Sequence, residues 1–169
     1  MSLSDIQQET IEPFDALVLE QHAKMLAMPA LMKQGFTQLK DALQDQELSA
    51  SGFPFTVYLD LDWAALNQAG ALKNLLQMVF KRWHYQLGFP VDGAKEQGVL
   101  KTASFAGGPA LTAVHTGSYA MVGASYKELN RWAEDQGLTL AQQSFEFYLN
   151  DPKETPTDQL KTRLVLPLA

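Results

Sequence analysis

The run Ser144-Phe145-Glu146-Phe147-Tyr148-Leu149 sets a single carboxylate among aromatic residues at alternating positions. Successive side chains of an extended strand point to opposite faces. Phe145, Phe147 and Leu149 therefore share one face, and Ser144, Glu146 and Tyr148 the other. The apolar face is expected to meet helices and the Glu146 face to look into a groove. A carboxylate ringed by aromatics suits a lipophilic cation: the charge meets the glutamate, and each ring face adds cation–π attraction of about 0.5–2 kcal/mol. Partial burial raises a glutamate pKa, because desolvation penalises the charged form. The same residue then suits a general base acting on water, so a binder and a hydrolase draw on the same residue types here.

Other chemistries find little support. The 169 residues contain no cysteine, which removes disulfides, thiolate nucleophiles and thiolate metal sites. His22, His84 and His115 are far apart in sequence and form no metal-ligand spacing, so no metal site is expected. His115, beside a Gly-containing turn, reads as structural. Gly107-Gly108-Pro109 reads as a hairpin turn rather than a phosphate cradle, and no dinucleotide, Walker or nucleophile-elbow motif occurs, so no cofactor is expected. The net charge of −6 and the lack of a basic run argue against direct nucleic-acid binding. No stretch reaches the ~18 apolar residues of a membrane span. Met1 to Glu12 is polar and acidic, unlike a signal peptide. The expected setting is cytoplasmic.

The elements that position Glu146 follow from an internal repeat. Gly35-Phe36-Thr37-Gln38-Leu39 lies over Ser125-Tyr126-Lys127-Glu128-Leu129, Asp45-Gln46-Glu47-Leu48 over Asp135-Gln136-Gly137-Leu138, and Phe55 to Asp60 over Phe145 to Asn150. The offset is 90 throughout, with seven identities between positions 35 and 62. Each unit reads as strand, helix, strand, strand. The first has a strand at Ala16 to Leu19, a helix over Leu31 to Leu43 starting near Pro29, a strand at Phe55 to Leu59, and a strand at Leu87 to Val91. The second has Ala110 to His115, a helix carrying Tyr119, Val122, Tyr126, Leu129 and Ala133 and stopped by Gly137, then Phe145 to Leu149 and Arg163 to Leu166. The last strands align at an offset of 77, which leaves 13 extra residues in the first unit. They fall in Asp62 to His84, where Leu72, Leu75, Leu76, Val79 and Trp83 form an amphipathic helical stripe that Asp62 can cap. A strand at Val99 to Phe105 leads into the Gly-Gly-Pro hairpin and joins the halves.

The expected architecture is α+β: one domain over residues 1–169, made of βαββ repeats at about 14–95 (with the insertion at about 62–84) and 97–169. An antiparallel sheet carries helices on one face and a groove between the halves. The repeat equivalents of Glu146 and Tyr148 are Thr56 and Tyr58, so the cleft gains two tyrosines but one carboxylate. Candidate ligand contacts are Glu146, Tyr148, Tyr58, Tyr119, Trp83 and Phe36, with Thr56 and Ser144 as small polar contacts. For a hydrolase, Glu146 is the base and Tyr148 or Tyr119 orients. Trp132 reads as core.

The second unit resembles a known family. His115-Thr116-Gly117-Ser118-Tyr119 looks like a His-x-Gly-x-Tyr helix start, and Tyr126, Leu129, Trp132 and Gly137 like a Tyr-x-x-Leu-x-x-Trp…Gly helix pattern. Glu146 to Pro152 looks like a Glu-x-Tyr-Leu-x-Asp-Pro signature, and Pro167-Leu168 like its closing Pro-Leu. Together these resemble the GyrI-like (gyrase-inhibitor-like) family, the effector-binding domain of AraC- and MerR-type transcription activators. The match is strong over Leu111 to Leu168 and looser before it. The resemblance implies SHS2-type βαββ halves related by a pseudo-twofold axis and a groove that binds bulky, often cationic or aromatic compounds. Roles as a sensor or sequestering domain in transcription regulation or multidrug response follow. It also implies two alternatives: hydrolysis of cyclopropane-bearing toxins, and a protein-interaction role as in gyrase inhibition. The chain departs from the family in having no helix-turn-helix, in its insertion and in a diverged first half. A DNA-binding or other domain on a longer or separate chain is the expected partner besides the small molecule.

Overall fold

A computed structural model describes residues 2–63 and 81–169 of the chain. Its strands are β1 (Ser2–Leu3), β2 (Gln7–Ile11), β3 (Phe14–Lys24), β4 (Phe55–Tyr58), β5 (Arg82–Pro90), β6 (Leu100–Phe105), β7 (Gly108–Thr116), β8 (Ser144–Tyr148) and β9 (Lys161–Pro167). The helices are α1 (Met28–Asp45) and α2 (Val122–Asp135). All strand pairs are antiparallel, in the order β1-β7-β9-β8-β4-β5-β3-β6, with β2 also on β7. Among the described residues no helix is long and apolar enough to cross a membrane.

Each helix forms for local reasons. In α1 a proline sits in the first turn, where its missing N–H costs nothing, and Met28, Gly35, Leu39, Ala42 and Leu43 recur on one buried face. In α2 the buried positions are Ser125, Leu129, Asn130 and Ala133. The helices end alike: the N–H of Leu48 bonds the carbonyl of Leu43, and that of Leu138 bonds the carbonyl of Ala133, each at 2.9 Å. The turn residues between are Glu47 (φ 55°) and Gly137 (φ 68°), both left-handed.

Phe55 faces Gly88 as Phe145 faces Val165; Phe145 lies 90 residues after Phe55 and Val165 lies 77 after Gly88, and Thr56 faces Glu146 directly across β4 and β8. The leading strands are exchanged. β2 runs into β3 but pairs with β7; β6 runs into β7 but pairs with β3. Hence Gly107-Gly108 is not a hairpin between paired strands, as its sequence implied, but a crossing from one side of the sheet to the other. A side chain at Gly107 would run into the Ile11 carbonyl, and its φ is +70°. The acidic start of the chain is likewise part of the sheet, held by Arg163 Nη2 to Glu9 Oε1 at 2.8 Å.

The exchange curls the sheet so that both faces are dry. Helix α1 packs on Leu17, Leu19, Tyr85, Leu87 and Phe89, while Leu129 and Ala133 of α2 pack on Leu111, Ala113, Leu164 and Leu166. On the other face Phe14, Phe55, Phe105, Phe145 and Phe147 cluster with Ala16, Val18, Val57 and Val165. Phe14 stacks on Phe105 with centroids 4.9 Å apart. The expected assignment of faces is thus reversed. Phe145 and Phe147 do not meet the helices; the helices cover the face that carries Glu146. An apolar strand face needs only a dry neighbour, and here the curled sheet supplies it.

The insertion is described only at its ends. Leu72, Leu75, Leu76 and Val79 of the expected helical stripe lie outside the described residues, as does the helix that Asp62 would cap. Trp83 is not helical: it stands on β5 opposite Ala23. Pairing of residues 82–86 with 20–24 overrides the helical spacing of that segment.

Candidate functional site

Glu146 lies at the centre of the sheet, on the β8 side of the β4–β8 pair, with its side chain on the helix face. It is 5% exposed. Tyr126, from α2, donates to Glu146 Oε1 at 3.0 Å, and Tyr148, two residues along β8, donates to Oε2 at 3.2 Å. With those protons committed, Ser144 donates to the Tyr126 hydroxyl at 3.0 Å and Thr56 to the Tyr148 hydroxyl at 2.8 Å. The result is a relay on each side of the carboxylate, Thr56 to Tyr148 and Ser144 to Tyr126. Each hydroxyl has one proton and acceptor capacity, so every member is satisfied.

Burial pushes the Glu146 carboxyl up to about 7, against the lowering effect of the Tyr126 and Tyr148 hydrogen bonds. Burial first, then the nearby Glu146 charge, holds the Tyr58, Tyr126 and Tyr148 hydroxyls well above their ordinary range. Among the described residues no cationic side chain pairs with Glu146.

Aromatic rings extend outward from this centre. Tyr148 meets Phe36 of α1 edge-on at 5.9 Å and Tyr119 edge-on at 5.5 Å. Tyr119 opens the short 3-10 turn before α2 and is 36% exposed. Tyr58 faces Ser144 across the strands and packs on Trp83 at 5.9 Å and Tyr85 at 6.2 Å. The structure therefore gathers Glu146, Tyr148, Thr56 and Ser144 into one network and sets Phe36 and Tyr119 against it. Tyr58 stands beside it, and Trp83 lies one ring further out.

Tyr126 is the residue that sequence reasoning passed over, although it touches the carboxylate directly. It lies 90 residues after Phe36, a candidate contact, so the same sequence offset that sets Thr56 against Glu146 points to it. Trp63, whose ring lies 6.1 Å from Tyr126 and whose indole donates to the Ala141 carbonyl at 2.6 Å, had no such signal. Trp132 is half-buried against the α2 core cluster. His115 is fully buried, between Ser125 Oγ at 2.8 Å and the Ser118 carbonyl at 3.2 Å, and ties β7 to the start of α2. His22 and His84, distant in sequence, are cross-strand neighbours with stacked rings.

A cavity of about 110 Å³ lies on the opposite face, lined by Ile11, Phe14, Phe105, Phe145, Phe147 and Pro167 among others. None of its lining residues is ionisable, so a charged ligand finds no partner there. The buried acid is across the sheet.

Among the described residues a curled antiparallel sheet carries two α-helices on one face, with a tyrosine-bound acid beneath them, and this defines an α+β domain. A GyrI-like small molecule binding domain model matches residues 81–169, just over half the sequence, and the chain belongs to that family. Among solved structures it is similar to the EcmrR C-terminal domain, with a TM-score of 0.78 and 16% identity, covering 98% of this chain and 97% of that one. In the EcmrR–DNA complex it spans 57% of the EcmrR chain, at the same TM-score and identity. SAV2435 bound to tetraphenylphosphonium has a TM-score of 0.67 and 8% identity, covering 98% and 94% of the two chains. A hydrolase encoded by lin2189 from Listeria innocua has a TM-score of 0.58 and 13% identity, covering 97% and 91%. At these identities the likeness is one of fold. A search of curated proteins gives no match by sequence.

Proposed function

We propose that the chain binds a bulky hydrophobic cation between α1 and α2, with the positive charge against Glu146 and rings against Tyr148, Tyr119, Phe36 and Tyr58. The observation that carries this reading is a buried carboxylate whose partners among the described residues are hydroxyls. An unpaired buried charge is costly, and a cation that arrives with its own apolar shell removes the cost without bringing water. Exposure rises from Glu146 through Tyr148 to Tyr119, which marks the side of approach. Tetraphenylphosphonium, the ligand of SAV2435, has this chemistry. The fold shared with EcmrR supports a role as a sensory or sequestering domain linked to transcription regulation.

The site is part of the same proposal for the domain: a single unit of two repeats, about 14–95 and 97–169, meeting where Thr56 faces Glu146. Matching helix ends, matching registers and the exchanged leading strands support it. A twofold frame that differs at this one polar pair gives the charge a single position.

Titration with tetraphenylphosphonium across pH tests the reading. Affinity is expected to rise as pH passes through about 7, where Glu146 ionises, and to fall at least tenfold in Glu146→Gln. Equal affinity of the two proteins would remove Glu146 from the site. A second reading rests on the same raised acidity: a carboxyl near 7 is poised as a general base for water, so the groove would hydrolyse an electrophilic, cyclopropane-bearing substrate. Turnover of such a compound, absent in Glu146→Gln, would favour catalysis; no turnover beside intact cation binding would leave the binder.

A further inference from the structure

The far end of the β3–β5 ladder carries a second cluster of groups that can do chemistry. β6 pairs with β3 only as far as Leu19, so the strands beyond it lose their cover. There Glu20 and His22 lie two residues apart on β3, on the face opposite the helices. His84 of β5 stands directly across from His22. The two imidazoles stack at 4.1 Å, 11° from parallel. The nearest donor atoms of Glu20, His22 and His84 all lie within 4.8 Å of one another. His84 Nε2 is 2.7 Å from Glu20 Oε1, and His84 Nδ1 is 3.1 Å from Asp60 Oδ2, just beyond β4.

We propose that Glu20, His22 and His84 form a binding site for a divalent transition-metal ion such as Zn²⁺ or Ni²⁺. The argument is one of backbone and donor type. Residues i, i+2 and the cross-strand partner share one face of a paired ladder, so their Cβ atoms are fixed before any ligand arrives. Two imidazoles with one carboxylate match the preference of these ions. Donors on one Zn²⁺ sit about 2.0–2.2 Å from it, so groups already within 4.8 Å of one another stand near the spacing one ion needs. Asp60 on Nδ1 leaves Nε2 as the nitrogen aimed at Glu20, which is the arrangement of a carboxylate–histidine–metal triad. His115 cannot compete, since both of its nitrogens are engaged inside the fold. Nothing in this cluster is shared with the Glu146 network, which lies on the other face of the sheet.

The test is titration of the untagged, metal-free protein with Zn²⁺ alone, followed by calorimetry and by the imidazole NMR signals. One ion per chain is expected, with the His22 and His84 signals shifting and that of His115 unmoved. His22→Ala and His84→Ala should each weaken binding at least tenfold. Asp60→Asn, which removes a positioning group, should weaken it about tenfold. These side chains are at the surface, and unchanged amide spectra confirm that the variants fold. Zn²⁺ binding to both histidine variants as to the wild type, or non-saturating uptake spread over many surface carboxylates, would overturn the proposal.

Discussion

Replacing Glu146 by Gln should make the protein more stable, and by an amount that depends on pH. In the folded chain the carboxyl titrates at about 7, against 4.5 for a solvated glutamate. The folded state thus holds its proton in a range where the unfolded chain has lost it. The sign follows from proton linkage: stability is unaffected below about 4.5, falls as pH rises from there to 7, and is constant above. For one group with these two values the wild type loses roughly 1 kcal/mol by pH 5 and about 3 kcal/mol by pH 8. Glutamine does not titrate. It fills nearly the same volume, and its oxygen still accepts from one tyrosine. Its amide donates to the other, whose proton turns to its hydroxyl neighbour, Thr56 Oγ1 for Tyr148 or Ser144 Oγ for Tyr126. The stability difference between the variant and the wild type should therefore widen by about 2.5 kcal/mol between pH 5 and pH 8. In a domain of this size that is a melting-temperature gap growing by about 5–10 °C. Thermal unfolding followed by circular dichroism at several pH values measures it. A gap that does not change with pH, or one that narrows as pH rises, would refute the claim that desolvation dominates at Glu146.

Four other substitutions probe that site and the turns of the fold. Tyr126→Phe removes a hydrogen bond to a buried charge and should cost about 1–3 kcal/mol at pH 8 but much less at pH 5, where the acid is neutral; urea unfolding at both values checks this. Gly107→Ala places a methyl group against the Ile11 carbonyl at a positive φ and should cost ~2 kcal/mol or more, read as a lower urea midpoint with unchanged slope. Glu47→Gly relieves a left-handed non-glycine residue at the end of α1 and should gain up to ~1 kcal/mol, while Gly137→Ala at the matching end of α2 should lose a similar amount by thermal melting.

The sequence was informative where its signals are local or repeated, and misleading where they depend on how the sheet closes. Helix α1 is readable because Pro29, Leu39 and Leu43 fall where a buried helix needs them, and Glu146 stands out because the residue 90 positions before it is Thr56. Both are differences within the chain. The face of β8 that meets the helices is another matter. Phe145 and Phe147 satisfy alternation equally well against helices or against the opposite side of a curled sheet, and only the exchange of β2 and β6 decides between them. That exchange passes through the corner at Gly107, whose sequence reads as an ordinary hairpin. The same closure explains why Tyr126 was missed: once helices cover the Glu146 face, a helical tyrosine must stand over the acid, and its hydroxyl becomes the partner that burial demands. It also explains His22 and His84, which no spacing rule joins because 62 residues separate them, yet which an eleven-residue strand brings ring to ring. Curling thus has one physical consequence for function. By drying both faces of the central strands, it leaves Glu146 buried and, among the described residues, without a cationic partner, and that desolvation holds its carboxyl at about 7.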